Sequence, residues 1–387
     1  GVGAPLLRLL PVCGYCEQQV LEWDANTSPP SFSLDPRCDE QLVCAYLHAL
    51  DQSSLQNDDA FDVAALHDVT QSGLTPAPLA LPGARCWELI ARHFVERRDV
   101  REPSWAQVRV FVSVLAQQLR CFRVSNCFAA FLLRESNNTA VRAVVVRCLV
   151  DASARLAARA VDRRVDADGG GEDEARVIER RLHCQSFEEV RHALLLMQRG
   201  GGMSPFPNAT VFGANAGVVA AYYRAPTTPM PSHGTRELPD YRALDQDRLL
   251  AELCNFFVVN ADERAAQLRR TALWRAYTLT ADNVLKMMLV HVRLSARVPV
   301  VVSGETGCGK TSLVKFLAHV KGLPERNFRV LNMHAGIEKA QIAEFVSACE
   351  ACAEATRAEV WCFLDEVSTP LARSSPRSES ALLSSNA

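Results

Sequence analysis

Through the first two-thirds of the chain, apolar residues recur every three to four positions, the period of helices that bury one face. Leu42, Val43, Tyr46, Leu47 and Leu50 form such a stripe over 40–50. Helices are also predicted over 86–98 and 104–122. In the second, Ser104 follows Pro103 as an N-cap, and Val108, Phe111, Val112, Leu115 and Leu119 line one face. The pattern continues as a helix over 141–161 and as one or two helices over 177–197. The stretches 24–37 and 69–83 are rich in Pro, Ser, Thr and Gly and read as loops. The charged stretch 162–176 carries Gly169-Gly170-Gly171 and reads as an exposed loop or linker. A second triplet, Gly200-Gly201-Gly202, opens a stretch to about Pro239 that reads as a loop or extended connector, the best domain boundary.

Helical spacing returns over 241–256 and 261–276. Thr280 then caps a helix over 281–295, with Val284, Met287, Met288, His291 and Leu294 on one side. His291 there reads as a packed histidine rather than a catalytic group. From Val298 the pattern changes. Val298-Pro299-Val300-Val301-Val302 reads as a short buried strand, 312–318 as an amphipathic helix, 327–333 as a strand and 337–356 as a helix. Val360-Trp361-Cys362-Phe363-Leu364 is a continuous apolar run, as in a strand buried on both faces. This β-α-β-α-β series predicts an α/β fold, a doubly wound parallel sheet with its ligand at the strands' carboxyl ends.

Composition adds little to this picture. With 387 residues there is room for two or three domains. The 42 Lys and Arg nearly balance the 44 Asp and Glu, so no broad polyanion surface, and no nucleic-acid partner, is expected. No apolar run reaches the roughly 18–20 residues that would span a bilayer. The first residues lack Met and a charged leader, which reads as a fragment without a signal peptide. Fourteen cysteines are scattered, and Cys44, Cys121, Cys148, Cys349 and Cys362 fall in apolar patterns. Free thiols in a reducing, cytoplasmic setting fit better than a disulfide framework. The tight pair Cys13-Gly14-Tyr15-Cys16 lacks a second pair at zinc spacing, and unliganded thiols are the preferred reading over a zinc site. The sequons at Asn26, Asn137 and Asn208 read as chance matches.

The chemistry is concentrated between the last predicted elements. Gly304-Glu305-Thr306-Gly307-Cys308-Gly309-Lys310-Thr311 fits the phosphate-loop pattern G-x-x-x-x-G-K-[ST] in its strand–loop–helix setting. The glycines let backbone N–H groups turn toward a phosphate at a helix N-terminus. The nucleotide-binding set is Gly304, Glu305, Thr306, Gly307, Cys308, Gly309, Lys310, Thr311 and Ser312. Lys310 reaches the β- and γ-phosphates, and the Thr311 hydroxyl holds Mg²⁺. Cys308 is either a small residue tolerated at a variable position or an oxidation-sensitive one. Fifty-five residues beyond Lys310 the apolar run ends in Asp365-Glu366, the Walker B arrangement. Asp365 is the second Mg²⁺ ligand, and Glu366 polarises the attacking water, so Glu366 and Lys310 are the catalytic residues. The expected cofactors are ATP and Mg²⁺.

The motifs around this loop resemble those of one family. Tyr277-Thr278-Leu279-Thr280-Ala281-Asp282-Asn283, the phosphate loop with its strand, Asn332-Met333-His334-Ala335-Gly336 and Phe363-Leu364-Asp365-Glu366 are similar to the third AAA+ unit of the mysterin family. These are giant ring-finger E3 ubiquitin ligases with a dynein-like array of AAA+ units. The stretches 41–47 and 103–119 are similar to the region before that unit. The resemblance implies five parts: a mainly helical 1–199 within a degenerate AAA+ unit; a Gly/Pro-rich connector 200–240; a helical lead-in 241–296; the N-terminal part of an AAA+ ATPase core, 297–368; and a Ser-rich tail 369–387, disordered or truncated. It also implies neighbouring AAA+ units that supply an arginine finger, and ubiquitin-conjugating machinery met through the parent chain. The family has Asn two residues beyond the Walker B Glu, where this chain has Ser368. The sensor strand, lid and arginine finger are absent from the sequence, and so is any ring-finger Cys/His pattern. Two other readings remain at this level: a module that holds ATP without turnover, and a unit of another dynein-like or midasin-like motor.

Overall fold

The computed structural model describes residues 31–33, 39–55, 80–95, 105–123, 136–158, 193–198, 202–223, 238–258, 260–302, 304, 307–334 and 336–365. The expectations at Cys13 and Cys16, Ser104, 162–176, Glu305, Thr306, Glu366 and 369–387 lie outside these residues. The chain divides into two compact units, Gly1–Lys310 and Thr311–Ala387.

The first unit is built on helices α1 (Asp39–Leu55), α2 (Gly83–Ile90), α3 (Trp105–Arg123) and α4 (Ser136–Ala158). α3 packs against both α1 and α4. Its predicted stripe is buried, but so are Val110, Val114, Ala116 and Phe122. A helix with neighbours on two sides buries more than one face. α2 runs on into a π-helical turn, Ala91–Val95, which the sequence did not signal. That turn is tied to α1 through Asp51, only 5% exposed. Asp51 accepts from Arg85 at 2.8 Å and from Arg92, and its other oxygen lies 3.2 Å from His93 Nε2. Burial pushes the Asp51 carboxyl up, but the Arg92 and His93 contacts outweigh it and hold the group below the usual carboxylate range.

Several expectations for this unit are corrected. The loops over 24–37 and 69–83 each contain a three-residue strand, β1 (Ser31–Ser33) and β2 (Ala80–Pro82), paired antiparallel. Where a helix was expected up to residue 197, Leu194–Met197 is strand β3, which pairs antiparallel with β4 (Met203–Phe206). A four-residue apolar run does not by itself distinguish strand from helix. At the end of this pairing Gln198 N–H donates to Gly202 O at 2.8 Å. Met197 N–H donates to Gln118 Oε1 of α3 at 2.7 Å, which seats the hairpin on the helices. Beyond β4 the stretch expected as an extended connector holds a 3₁₀ turn, Ala209–Asn215, and α5 (Ala216–Tyr223).

α6 (Gln246–Phe257), α7 (Ala261–Arg269) and α8 (Ala272–Ala276) follow, the last two replacing one predicted helix. Thr271 ends α7 and caps α8, its Oγ1 accepting from Trp274 N–H at 3.2 Å. α9 (Ala281–Ser295) carries its predicted cap, with Thr280 Oγ1 accepting from Asn283 N–H at 3.3 Å. His291 packs edge-on against Phe256 and Phe257, ring centroids 5.8 and 4.8 Å away. Arg293 of α9 donates to Leu156 O of α4 at 3.0 Å, tying the helix that precedes the phosphate loop to the helical core.

In the second unit α10 (Lys310–Val320, from Thr311 on) buries Leu313, Val314, Phe316, Leu317, Ala318 and Val320. Gly322, at φ 75, ends it. Strands β5 (Phe328–Asn332) and β6 (Trp361–Asp365) flank α11 (Lys339–Thr356) in sequence and pair parallel, with Asn332 opposite Asp365. The expected element order and parallel pairing thus accompany a much smaller sheet than expected. The doubly wound sheet is not present among the described residues, where β5 and β6 form a two-stranded sheet. With that narrow sheet, Cys362 is exposed and Leu364 is 39% exposed, not buried on both faces. No helix of the described residues is long and apolar enough to cross a membrane.

Candidate nucleotide-binding site

The loop starts where α9 ends. Arg297 at φ 56 turns the chain, and Val298 N–H donates back to Arg293 O at 2.9 Å. The run 298–302 is then neither strand nor helix, and Val301 is 80% exposed. This corrects the buried strand expected there. A parallel strand gets its ladder from a neighbour, none of the described strands pairs with this run, and Pro299 lacks a donor.

In the loop itself Gly307 and Gly309 sit at φ 83 and 84, a region that side chains rarely adopt. Gly304 is needed for a different reason: a Cβ there would lie 2.9 Å from Cys308 Sγ. The Cys308 thiol is exposed and leans on Gly304. Lys310 folds back over the loop, its Nζ donating to Gly304 O at 2.8 Å and to Cys308 Sγ at 3.9 Å. The sequence pattern did not signal this contact with the loop's own first carbonyl.

In the second unit, Thr311 and Ser312 lie in the first turn of α10. Ser312 is exposed, and the Thr311 hydroxyl donates to Asp365, 2.9 Å from both Oδ1 and Oδ2. Asp365 arrives there as the last residue of β6, and Met333 N–H donates to its carbonyl at 2.8 Å, continuing the ladder past Asn332. The other end of β6 is fixed by Glu359. Its carboxylate takes Lys321 at 2.9 Å and Trp361 Nε1–H at 2.7 Å, and its carbonyl accepts from Asn327 at 2.9 Å. Lys321 also lies 5.0 Å from the centre of the Trp361 ring. Nothing in the sequence marked this cluster, because Lys321 and Glu359 are 38 positions apart and belong to no motif. Phe328 stacks on Phe363 at 5.9 Å, holding the two strands together on that face.

These residues fit a nucleotide with Mg²⁺. A hydroxyl and a carboxylate in contact are the hard oxygen donors that Mg²⁺ takes. An ammonium on a loop of exposed glycines, at the start of an eleven-residue helix, suits phosphate oxygens. The remaining expected groups, Glu305, Thr306 and Glu366, lie outside the described residues. Of the cysteines expected in apolar surroundings, Cys44 and Cys349 are buried and Cys121 and Cys148 half-buried. Burial pushes the Cys148 thiol up to about 12.

A protein-family model described as the RNF213 AAA domain matches residues 277–376. Among curated proteins the chain is similar to the zebrafish E3 ubiquitin-protein ligase rnf213-beta, 37% identical over 99 residues. It is also similar to E3 ubiquitin-protein ligase RNF213 of mouse, 35% identical over 99 residues, and of human, 34% over 101. Each match covers 24% of this chain and 2% of the relative's length. No solved structure matches. RNF213 is the mysterin to which the motifs above are similar, and the matched range opens at Tyr277, the first of the motifs compared with its third AAA+ unit. Residues 277–376 of this chain are therefore similar to the RNF213 AAA domain.

Proposed function

We propose that this segment binds ATP with Mg²⁺ and hydrolyses it, as an AAA+ module of a giant E3 ubiquitin ligase. The observation that carries the reading is the contact of Thr311 with both carboxylate oxygens of Asp365 at 2.9 Å, at the end of a complete phosphate-loop motif. In this reading, backbone N–H groups of 304–312 cradle the phosphates and Lys310 leaves Gly304 O for a phosphate oxygen. Thr311 and Asp365 hold the Mg²⁺, which would offset phosphate charge when bound. Glu366 takes a proton from the attacking water. Neighbouring AAA+ units of the same parent chain supply the arginine finger that stabilises transition-state charge. Ubiquitin transfer is assigned to the parent chain in the cytoplasm and not to this segment, whose sequence has no ring-finger pattern.

Glu366→Gln tests the proposal. Gln keeps the size and hydrogen-bonding capacity of the side chain but cannot act as a carboxylate base. Phosphate release is compared in this chain, in a longer chain with the neighbouring units, and in the longer chain carrying Glu366→Gln. The longer chain turns over, and the Gln variant binds ATP equally but is slower by about 10²-fold or more. Full activity in the Gln variant would remove Glu366 from the catalytic role. Binding without turnover in the longer chain would favour a module that holds ATP as a structural ligand.

A further inference from the structure

We infer that Cys349 and Cys362 form an oxidation site, a dithiol that closes to a disulfide when a peroxide reaches it and thereby pins α11 to β6. The inference stands apart from the nucleotide reading. Trp361 and Phe363 both lie against the Phe328 ring, with centroids 6.4 and 5.9 Å away, so they share one face of β6. Cys362, between them, is on the opposite face, as alternate strand residues are. α11 packs on β6, and its one buried residue is Cys349, 2% exposed. Cys349 meets Cys362 there, with the two thiols in hydrogen-bond contact. Both thiols are free. A disulfide forms only between cysteines whose side chains point at one another, and these do.

Exposure assigns the order of events. Cys362 is exposed and meets the oxidant, whereas Cys349 is buried behind it. The Cys362 thiolate attacks one peroxide oxygen and the O–O bond breaks. The departing oxygen leaves as water once protonated, and Cys362 is left as a sulfenic acid. Cys349 gives up its proton and attacks that sulfur, so the S–S bond forms, the S–O bond breaks and a second water leaves. Two thiols have lost two electrons, and one peroxide has become two waters. Burial first, then the Cys349 thiol and the Glu350 carboxylate, push the Cys362 thiol up, despite Arg329 opposite it on β5. The thiolate is therefore scarce at neutral pH, and closure quickens as pH rises. Contact alone does not make such a site. Cys44 of α1 touches Cys86 of α2 in the same way, but at 3% and 4% exposed neither thiol is open to an oxidant in the folded chain. Cys352, one turn from Cys349, is directed elsewhere, its thiol donating to Arg326 O at 3.9 Å.

The test uses the full chain, with excess hydrogen peroxide as the probe at mildly alkaline pH. Remaining thiols are alkylated in denaturant, and the chain is digested without reductant. Mass spectrometry should recover a peptide pair linked through Cys349 and Cys362, separable by a thiol reductant, with Cys44 and Cys86 alkylated. Hydrogen exchange over 339–356 and 361–365 should slow about tenfold or more in the linked chain, because the bond closes a short loop. Cys349→Ser removes the resolving thiol, so Cys362 stays a sulfenic acid that dimedone labels, about tenfold more than in the wild type. Cys362→Ser gives neither link nor label there. Cys349→Ala carries the same reading should the serine variant not fold. The site is overturned if Cys349 and Cys362 are both recovered as free thiols, if Cys362 is linked to a different cysteine or driven to an irreversible acid in the wild type, or if Cys44 links to Cys86 equally. Unchanged exchange in the linked chain overturns the pinning of α11.

Discussion

Replacing Asp51 with Asn loosens the junction between α1 and the α2–π segment without changing side-chain size. Asp51 is 5% exposed and meets three positively charged or protonatable groups. The Arg85 and Arg92 side chains are 25% and 42% exposed, so solvent screens their pairs to about 0–1 kcal/mol each. His93, 8% exposed at its side chain, loses a buried hydrogen bond to a charged group worth about 1.5–3 kcal/mol. The expected total is about 1.5–5 kcal/mol. Hydrogen exchange read by mass spectrometry over 83–95 is the suitable assay, because it reports this segment alone. Exchange there should quicken by about tenfold or more at pH 7, with little change in β3 and β4. The pH dependence follows from the lowered carboxyl pKa. A depressed pKa adds stability that is fully present above the unfolded value of about 3.9 and is lost as pH falls through the lower folded value. The difference in unfolding free energy between wild type and Asp51→Asn is therefore constant from neutral pH to about pH 4 and shrinks below that. Unchanged exchange over 83–95, or a difference that grows on acidification, would refute the argument.

Two other sites give sharp outcomes. Gly309→Ala places a side chain at φ 84, with nothing within 4 Å of its Cβ, so the cost is backbone strain of about 1–2 kcal/mol. ATP affinity measured by calorimetry should fall about tenfold, while the melting temperature of the chain changes little. Gln118→Leu leaves the buried Met197 N–H without its 2.7 Å acceptor, at about 1–3 kcal/mol. Exchange over 194–206 should quicken, with none of the effect reaching 328–332.

The helices and the phosphate loop were legible because their signals are contiguous. The α3 stripe, the Thr280 cap and the eight-residue loop motif each sit within a few turns of chain. The pairing of Thr311 with Asp365 across 54 positions was also legible, because the motif carries both ends. The sequence did not disclose contacts made between short segments far apart. β1 and β2 are three residues each, too short for alternation to register. β3 looked helical because Leu194-Leu195-Leu196-Met197 is apolar throughout. The run 298–302 has strand composition, yet a strand exists only when another strand completes its ladder. Lys310 was expected to meet phosphate, and no signal in the sequence pointed to its bond with Gly304 O.

The central claim, that the loop 304–312 is a nucleotide site, is tested most directly by calorimetric titration of ATP with Mg²⁺ into the wild-type chain and into Lys310→Ala. The alanine variant loses a charge-assisted bond to phosphate worth roughly 1.5–3 kcal/mol, so its affinity should be about 10–100-fold weaker. Equal affinity in the two proteins, or no binding to the wild type, would contradict the account.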